Sequence, residues 1–559
     1  MAGDRELRAE TAAHSRTEGD DRMSSASAVG SDADPGPRSA WAPLRIGLFR
    51  ALWIGSLVSN VGTWMQTVGA QWLLVREPNA ATLVALVQTA QALPVLLFAM
   101  PAGVLADSFD RRRLLIGVQA FQVMVALTLT LLTASGAMTP PLLLALTFAL
   151  GAGSAVQAPA YQAVVPDLVP RPMVPTAAVL GSINVNLARA VGPAVAGVVV
   201  AGLGVTAVFA VNAATFVVFA AVLLTWRHHS DPPGAEPFLQ ALQAGGRYVR
   251  HAPVVRRILL RCVMFVVPAN VLWALLAVVA NQRLHLAAGG YGLMLAALGI
   301  GSILGAFILP RTKAFLTTDQ MVAGSMVLYA LTLVVLVVTP TAWLGVVCLL
   351  PAGVAWLAVL STLSATLQTF LPVWVRARGL AIYQLVMFGS MAGAGAIWGL
   401  VAQELGLTWA HLIAASLLVV GAASAWLLPL RDVAGLDRDP AVFWPEPHLV
   451  LQAEEHPGTV LVALFYTIGD ETREEFLELM PAVRRVRRRT GATSWHLFVD
   501  AAQPDRYVEI YTVASWAEHM LQHAGRLTGS DREIDLHARA LSQEPVVAYH
   551  LFSAQLPHT

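Results

Sequence analysis

Between Phe49 and Leu430 the chain alternates long apolar stretches with short polar breaks. A hydrocarbon core ~30 Å thick requires about 20 apolar residues per helix. Twelve stretches of that length are centred near residues 62, 92, 124, 150, 190, 214, 270, 300, 329, 354, 390 and 418. They predict an all-α membrane protein with twelve transmembrane helices in two six-helix bundles, 41–227 and 256–430. A polar, cytoplasmic central loop, 228–255, joins them. Six spans, a connection and six more spans is the arrangement of two bundles that rock about a central site.

The flanks follow other patterns. Residues 1–40 mix charges with Ser, Ala, Gly and Pro and have no apolar run, which predicts a disordered cytoplasmic tail and no secretory signal. Residues 431–458, rich in Pro, Asp and Glu, read as a linker. From 459 to 559 short β-rich runs alternate with helical periodicity in the order βαββαβ. That order predicts a C-terminal α+β ferredoxin-like domain, resembling small dimeric α+β barrels that bury an open sheet face against a second copy. Its expected elements are strands over 459–468, 494–499, 507–513 and 546–552, with helices over 471–489 and 515–527.

Charge sets the orientation. Arg111–Arg113, Arg171, the run from Arg227 to Arg257, Arg311 with Lys313, Arg376 with Arg378, and Arg431 all follow even-numbered stretches. Odd connections are short and nearly neutral, Arg76 and Arg283 excepted. By the positive-inside rule both termini are cytoplasmic, which places a multi-pass protein in a bacterial inner membrane.

Composition narrows the class. Only 13% of the 559 residues are charged, against roughly 25% in soluble domains, so lipid replaces water around much of the chain. A net charge of +1 gives no reason to expect a nucleic-acid partner. Cys262 and Cys348, far apart in apolar stretches, form neither a disulfide framework nor a metal site. No cofactor or metal is implied.

Polar residues inside the stretches are the candidate chemistry. Ser56, Asn60, Trp64, Thr67 and Gln71 share one face of the first stretch, and polar groups facing lipid cost free energy, so this face points inward. The seventh stretch repeats the spacing with Asn270, Trp273 and Asn281. Tryptophans and amides suit large, partly apolar solutes, although they also serve as ordinary helix–helix contacts. Gln88, Gln91, Gln157, Tyr383 and Gln384 are of the same type. In the fifth stretch Ser182, Asn186, Arg189 and Pro193 form a narrow stripe; an unpaired arginine there costs at least ~2.5 kcal/mol. Arg189 therefore faces the cavity or is satisfied by backbone carbonyls, and Gly192-Pro193 is expected to bend the helix. No Asp or Glu stands mid-span: Asp107, Asp167 and Glu404 are all near ends.

The connection after the second stretch holds Gly103, Asp107, Asp110, Arg111, Arg112 and Arg113. Gly103 permits close helix approach, and Asp107 at a helix end can pair with arginine or with a neighbouring helix N-terminus. A pair that forms in one conformation and breaks in another acts as a gate latch. This segment resembles the signature between helices two and three of the major facilitator superfamily. With Pro166–Arg171, Asn186–Gly197 and Arg376–Gly379, it places the chain near the bacterial branch that includes the enterobactin exporter. The resemblance implies alternating access and export coupled to proton entry. Ser108 and Asp110 depart from the wider signature, and the second-half copy, Gly305–Lys313, lacks its acid. Coupling then falls to Asp107, to Asp167 or to a carboxylate on the substrate.

In the C-terminal domain Trp495 and His496 point to opposite faces of a strand. His519 and His523 read as an i, i+4 surface pair without a third metal ligand, and the run Arg484–Arg489 reads as a solvated face. Catalysis is not expected. The leading function is export of an amphipathic small molecule, a siderophore or drug, by secondary active transport. The alternatives are an importer or facilitator of the same fold, or a membrane sensor with a ligand-reading cytoplasmic domain.

Overall fold

A computed structural model describes residues 41–108, 110–226, 238–430, 437–444, 451 and 458–554, the side chains of 99–108 and 238–244 excepted. Among these residues eleven helices are long and apolar enough to cross a membrane. In chain order they are α2 (Ala80–Ser108), α3 (Arg111–Ala134), α4 (Pro140–Leu168), α5 (Val174–Leu203), α6 (Val205–Thr225), α8 (Pro253–Arg283), α9 (Ala288–Thr312), α10 (Thr318–Val338), α11 (Ala342–Phe370), α12 (Val373–Leu405) and α13 (Leu407–Leu427). Before them runs α1, Gly47–Leu74, 28 residues long. The amides and hydroxyls along its inward face keep α1 outside the apolar set.

Helix pairing repeats between the halves. α1 packs on α5 and α6 as α8 packs on α12 and α13; α2 packs on α4 as α9 does on α11; α3 packs on α6 as α10 does on α13. The turns repeat as well. Gly204 alone joins α5 to α6 at φ 82°, and Gly406 alone joins α12 to α13 at φ 89°. A side chain is strained at such angles, so both reversals need glycine. Two main contacts join the halves, α2 on α12 and α5 on α9.

We call the arginine-bearing end of the helices the basic end and the other the neutral end. The connection 228–255, expected as a polar loop, contains α7 (Phe238–His251). The second set of helices starts at Pro253, before the expected 256. α7 lies between α12 and the sheet domain.

The C-terminal domain has strands β1 (Val460–Thr467), β2 (Ala492–Val499), β3 (Arg506–Val513) and β4 (Val547–Phe552). They form one antiparallel sheet in the order β2-β3-β1-β4. Helix α14 (Arg473–Thr490) links β1 to β2. The second crossover differs from expectation: the helix expected over 515–527 stops early, as α15 (Trp516–Leu521) and a π-wound turn, Gln522–Arg526. Gly525 at φ 123° breaks it, and α16 (Gly529–Ala540) follows with a capping box from Thr528 and Asp531. Ser515 caps α15, accepting from the Glu518 amide at 3.2 Å.

Two surface expectations for this domain fail. Arg487 is buried beneath the sheet, bonded to Glu509 at 2.9 Å and Asp535 at 2.6 Å. Burial alone pushes the Asp535 carboxyl up; Arg487 and Arg539 more than offset this and hold it below the ordinary value. The arginine run is thus a partly interior face, because its i, i+3 positions meet the sheet. His519 and His523 are also buried, packed against Trp516 and Trp444. Residues 437–444, within the expected linker, pack on the domain: Trp444 Nε1 donates to Asp535 at 3.1 Å, and Pro440 bridges to Thr528.

Candidate substrate cavity

A cavity of about 790 Å³ opens between α1, α4 and α5. It extends from Thr63 and Arg189 at mid-span to Pro166 and Val174 at the basic end. The polar stripe of α1 supplies Ser56 and Asn60, α4 supplies Ser154 and Gln157, and α5 supplies Ser182 and Asn186. Asn60 Nδ2 donates to Asn184 Oδ1 at 2.9 Å, and Asn184 donates to the Trp53 carbonyl at 2.8 Å. Asn184 was not among the expected residues, though it stands beside the stripe that was.

Arg189 lies at the inner end of this cavity. Its Nε is buried without a partner, and its guanidinium sits 5.6 Å from the Trp64 ring centroid. Such a contact contributes about 0.5–2 kcal/mol. Trp64 meets Trp273 of α8 at 5.9 Å, and Trp273 meets Trp356 of α11 at 5.5 Å. Phe265 and Tyr329 extend the group. Three residues singled out in different stretches, Trp64, Arg189 and Trp273, therefore converge where the halves meet.

Gly192 makes this possible. A Cβ there would lie 2.6 Å from Trp64 Cβ and 3.0 Å from the Val61 carbonyl oxygen. Pro193 lies inside α5, which continues as helix past it, and its carbonyl backs onto Gly292 of α9.

The remaining expected lining is engaged elsewhere. Thr67 donates to the Thr63 carbonyl at 3.0 Å and accepts from Gln91 at 2.7 Å. Gln71 donates to the Trp273 carbonyl at 3.2 Å and accepts from the Tyr291 hydroxyl. Asn270 donates to the Met391 carbonyl at 3.1 Å, while its Oδ1 is buried without a partner. Asn281 stands apart, at a neutral-end hollow with Trp72 and Arg76. Gln88 is buried, Tyr383 donates to the Leu360 carbonyl at 3.3 Å, and Gln384 is exposed; Gln157, in the cavity wall, accepts from Gln119 at 2.7 Å.

The side chains of Gly103 and Asp107 lie outside the described residues. Asp110 caps α3, accepting from the Arg113 amide at 2.8 Å. Arg111 donates to the Ala163 carbonyl at 2.9 Å and pairs with Asp167 at 3.0 Å. Arg112 donates to the Leu223 and Leu224 carbonyls at 3.3 and 3.1 Å. Both arginines thus complement the C-terminal ends of helices, where cations are favoured. Arg113 is exposed. A second ion pair went unnoticed in the sequence: buried Arg261 of α8 reaches Asp319 at 3.3 Å and the Leu428 carbonyl at 3.2 Å. Its signal was an arginine inside an apolar run, one turn beyond Arg257.

Residues 38–556 match a family described as transmembrane secretion effector. The chain belongs to this family of the major facilitator superfamily. The match takes in the sheet domain as well as the helices. Over 283 residues the family member is 26% identical to a staphyloferrin A transporter of Staphylococcus aureus, covering 50% of this chain and 70% of that one. It is also 26% identical over 167 residues to an uncharacterized MFS-type transporter, YfiS, of Bacillus subtilis, 39% of whose length is spanned. Solved structures share the fold. A bacterial homolog of the lysosomal transporter Spinster, inward-facing and unoccupied, superposes with TM-score 0.54 at 15% identity, over 68% of this chain and 96% of that one. An auto inhibited POT family peptide transporter gives TM-score 0.57 at 11% identity, over 69% and 97%. The protein is therefore a transporter and not an enzyme.

The Gly192 contact is testable within this transporter. Gly192→Val costs about 1–3 kcal/mol in overpacking and lowers the melting temperature of the purified protein. Gly181→Val, on the same helix with nothing within 4 Å of its Cβ, leaves it unchanged. Equal effects of the two would contradict the close contact of α5 with α1.

Proposed function

We propose that the protein exports amphipathic small molecules, of the siderophore or drug class, by alternating access. In this reading α1 crosses the bacterial inner membrane with the other eleven helices, and both termini and the basic end are cytoplasmic. The observation that carries it is the cavity ending at Arg189 and the Trp64–Trp273 pair. The guanidinium offers charge to an anionic group and the rings receive an apolar part. The relative named for staphyloferrin A supports a substrate of that class.

The conformation fits loading from the basic end. At the neutral end Thr82 donates to the Gly399 carbonyl at 3.3 Å, Thr89 to the Ala392 carbonyl at 2.8 Å, and Gly197 lies against Gly292. Coupling by proton entry falls to Asp107, to Asp167, which Arg111 holds at 3.0 Å, or to a substrate carboxylate. The gating role of Gly103 and Asp107 belongs to the same reading.

The domain over 459–559 is read as ferredoxin-like, pairing with a second copy through its outward sheet face. Phe498, Tyr549 and Leu551 are each more than half exposed there, which is large for apolar side chains in water.

Two measurements test these readings. Cells expressing the protein accumulate less of a dye or siderophore substrate, and an uncoupler removes the difference. Asn60→Ala, Trp64→Ala and Arg189→Ala each reduce efflux at least ~10-fold while the protein still inserts; efflux unchanged in all three sinks the cavity, and accumulation rising on expression sinks export. Light scattering of the detergent-solubilised protein gives a dimer mass that Phe498→Glu halves; a wild-type monomer refutes the pairing.

A further inference from the structure

One helical turn and one strand of the sheet domain bring three imidazoles together. His519 lies on α15, His523 on the π-wound turn after it and His550 on β4; one ring nitrogen of each lies within 4.8 Å of the others. Nε2 of His519 faces Nε2 of His523 at 3.3 Å. Two nitrogens bound tetrahedrally to Zn²⁺ at about 2.0–2.1 Å stand about 3.3 Å apart, so this pair already has ligand spacing.

The surroundings select the ligating form. His519 Nδ1 bonds Gln522 Oε1 at 3.0 Å, and the Gln522 amide donates to Thr490 at 3.1 Å. An amide oxygen only accepts, so Nδ1 carries the proton and Nε2 presents its lone pair toward His523. Burial pushes the His519 pKa from 6.5 down to about 3 and that of His523 down to about 4, and lowers that of His550 as well. Imidazole binds metal in its neutral form, and burial favours that form at each ring. Trp444 and Trp516 wall the group, their rings 5.0 Å from His523 and 5.6 Å from His550. His550 is the least buried of the three and must close the remaining distance.

The same segment holds the domain to the membrane helices. Arg526, which ends the π-wound turn, stacks on Trp374 at the start of α12 at 4.9 Å, and its carbonyl accepts from the Trp374 indole at 3.2 Å. Glu518 on α15 pairs with Arg526 at 2.7 Å and with Arg247 of α7 at 2.5 Å.

We propose that His519, His523 and His550 form a binding site for a divalent first-row transition ion, which on occupancy ties β4 to the turn gripping α12. Neutral imidazoles favour Zn²⁺ and its neighbours over Mg²⁺ or Ca²⁺. The inference is independent of the direction of transport.

The test uses full-length protein in detergent with a purification tag that lacks histidine. Equilibrium dialysis against Zn²⁺ gives one ion per chain. His523→Ala and His550→Ala weaken binding at least ~100-fold, and Gln522→Ala, which leaves the ligands in place, weakens it ~10–100-fold. His537→Ala, at an exposed histidine paired with Glu475, changes nothing. In the wild-type chain Zn²⁺ also slows diethyl pyrocarbonate modification of His550, the most accessible of the three, but not of His537, a readout that needs no variant to fold. Absence of stoichiometric Zn²⁺, or modification rates unaffected by it, overturns the site and leaves the histidines as a packed, hydrogen-bonded cluster.

Discussion

The Gln71 side chain spans the two halves of the transporter. It is buried, gives its amide hydrogen to the Trp273 carbonyl of α8 and receives the Tyr291 hydroxyl of α9. Away from water an unpaired amide costs several kcal/mol, so a polar group at this depth must find its partner in protein. That constraint arranges the rest. The stripe on α1 turns inward, the halves close around it at the neutral end, and glycines at 197, 292, 395 and 399 let the backbones approach. Toward the basic end the same stripe faces α4 and α5 of its own half and lines a cavity there.

Arg189 follows the same logic to a different outcome. Its charge is left to an aromatic face and its Nε to nothing, in a cavity otherwise lined by hydroxyls and amides. Arg261, a second interior arginine of the membrane helices, also leaves Nε and Nη1 without partners, but its Nη2 meets Asp319 and a helix-end carbonyl. Arg261 is thus tied to an acid and a helix end, whereas the Arg189 guanidinium meets the Trp64 face at the cavity end.

Period and hydropathy made the helices legible because each apolar stretch must satisfy its own backbone in lipid. They also made legible that α1, α5 and α8 carry inward polar faces. They could not divide a face into cavity and contact: Asn60 and Gln71 share a stripe, and only the packing of α9 against the neutral end tells them apart. Elements stabilised from a distance were equally hidden. Asp319 reads as an ordinary start of α10 until α8 brings Arg261 to it, and α16 was missed because the chain turns at Gly525 and starts a second helix beyond the expected end at 527. His550, alone on β4, becomes informative only when the sheet folds it under α15. The basic run at Arg484–Arg489 was misread because Glu509 and Asp535, the partners of Arg487, lie on elements distant in sequence that only the fold brings to α14.

The central claim is that two repeated helix sets, held shut at the neutral end through Gln71, exchange that closure for one at the basic end. Spin-label distances across the halves measure it directly, with one pair at Leu203 and Leu405 near the neutral end and another at Arg171 and Phe315 near the basic end. Gln71→Leu removes both bonds across the halves. The account predicts that this substitution adds a longer neutral-end distance and, in equal proportion, a shorter basic-end distance. Distances unchanged at both ends, or lengthening at both together, would contradict it.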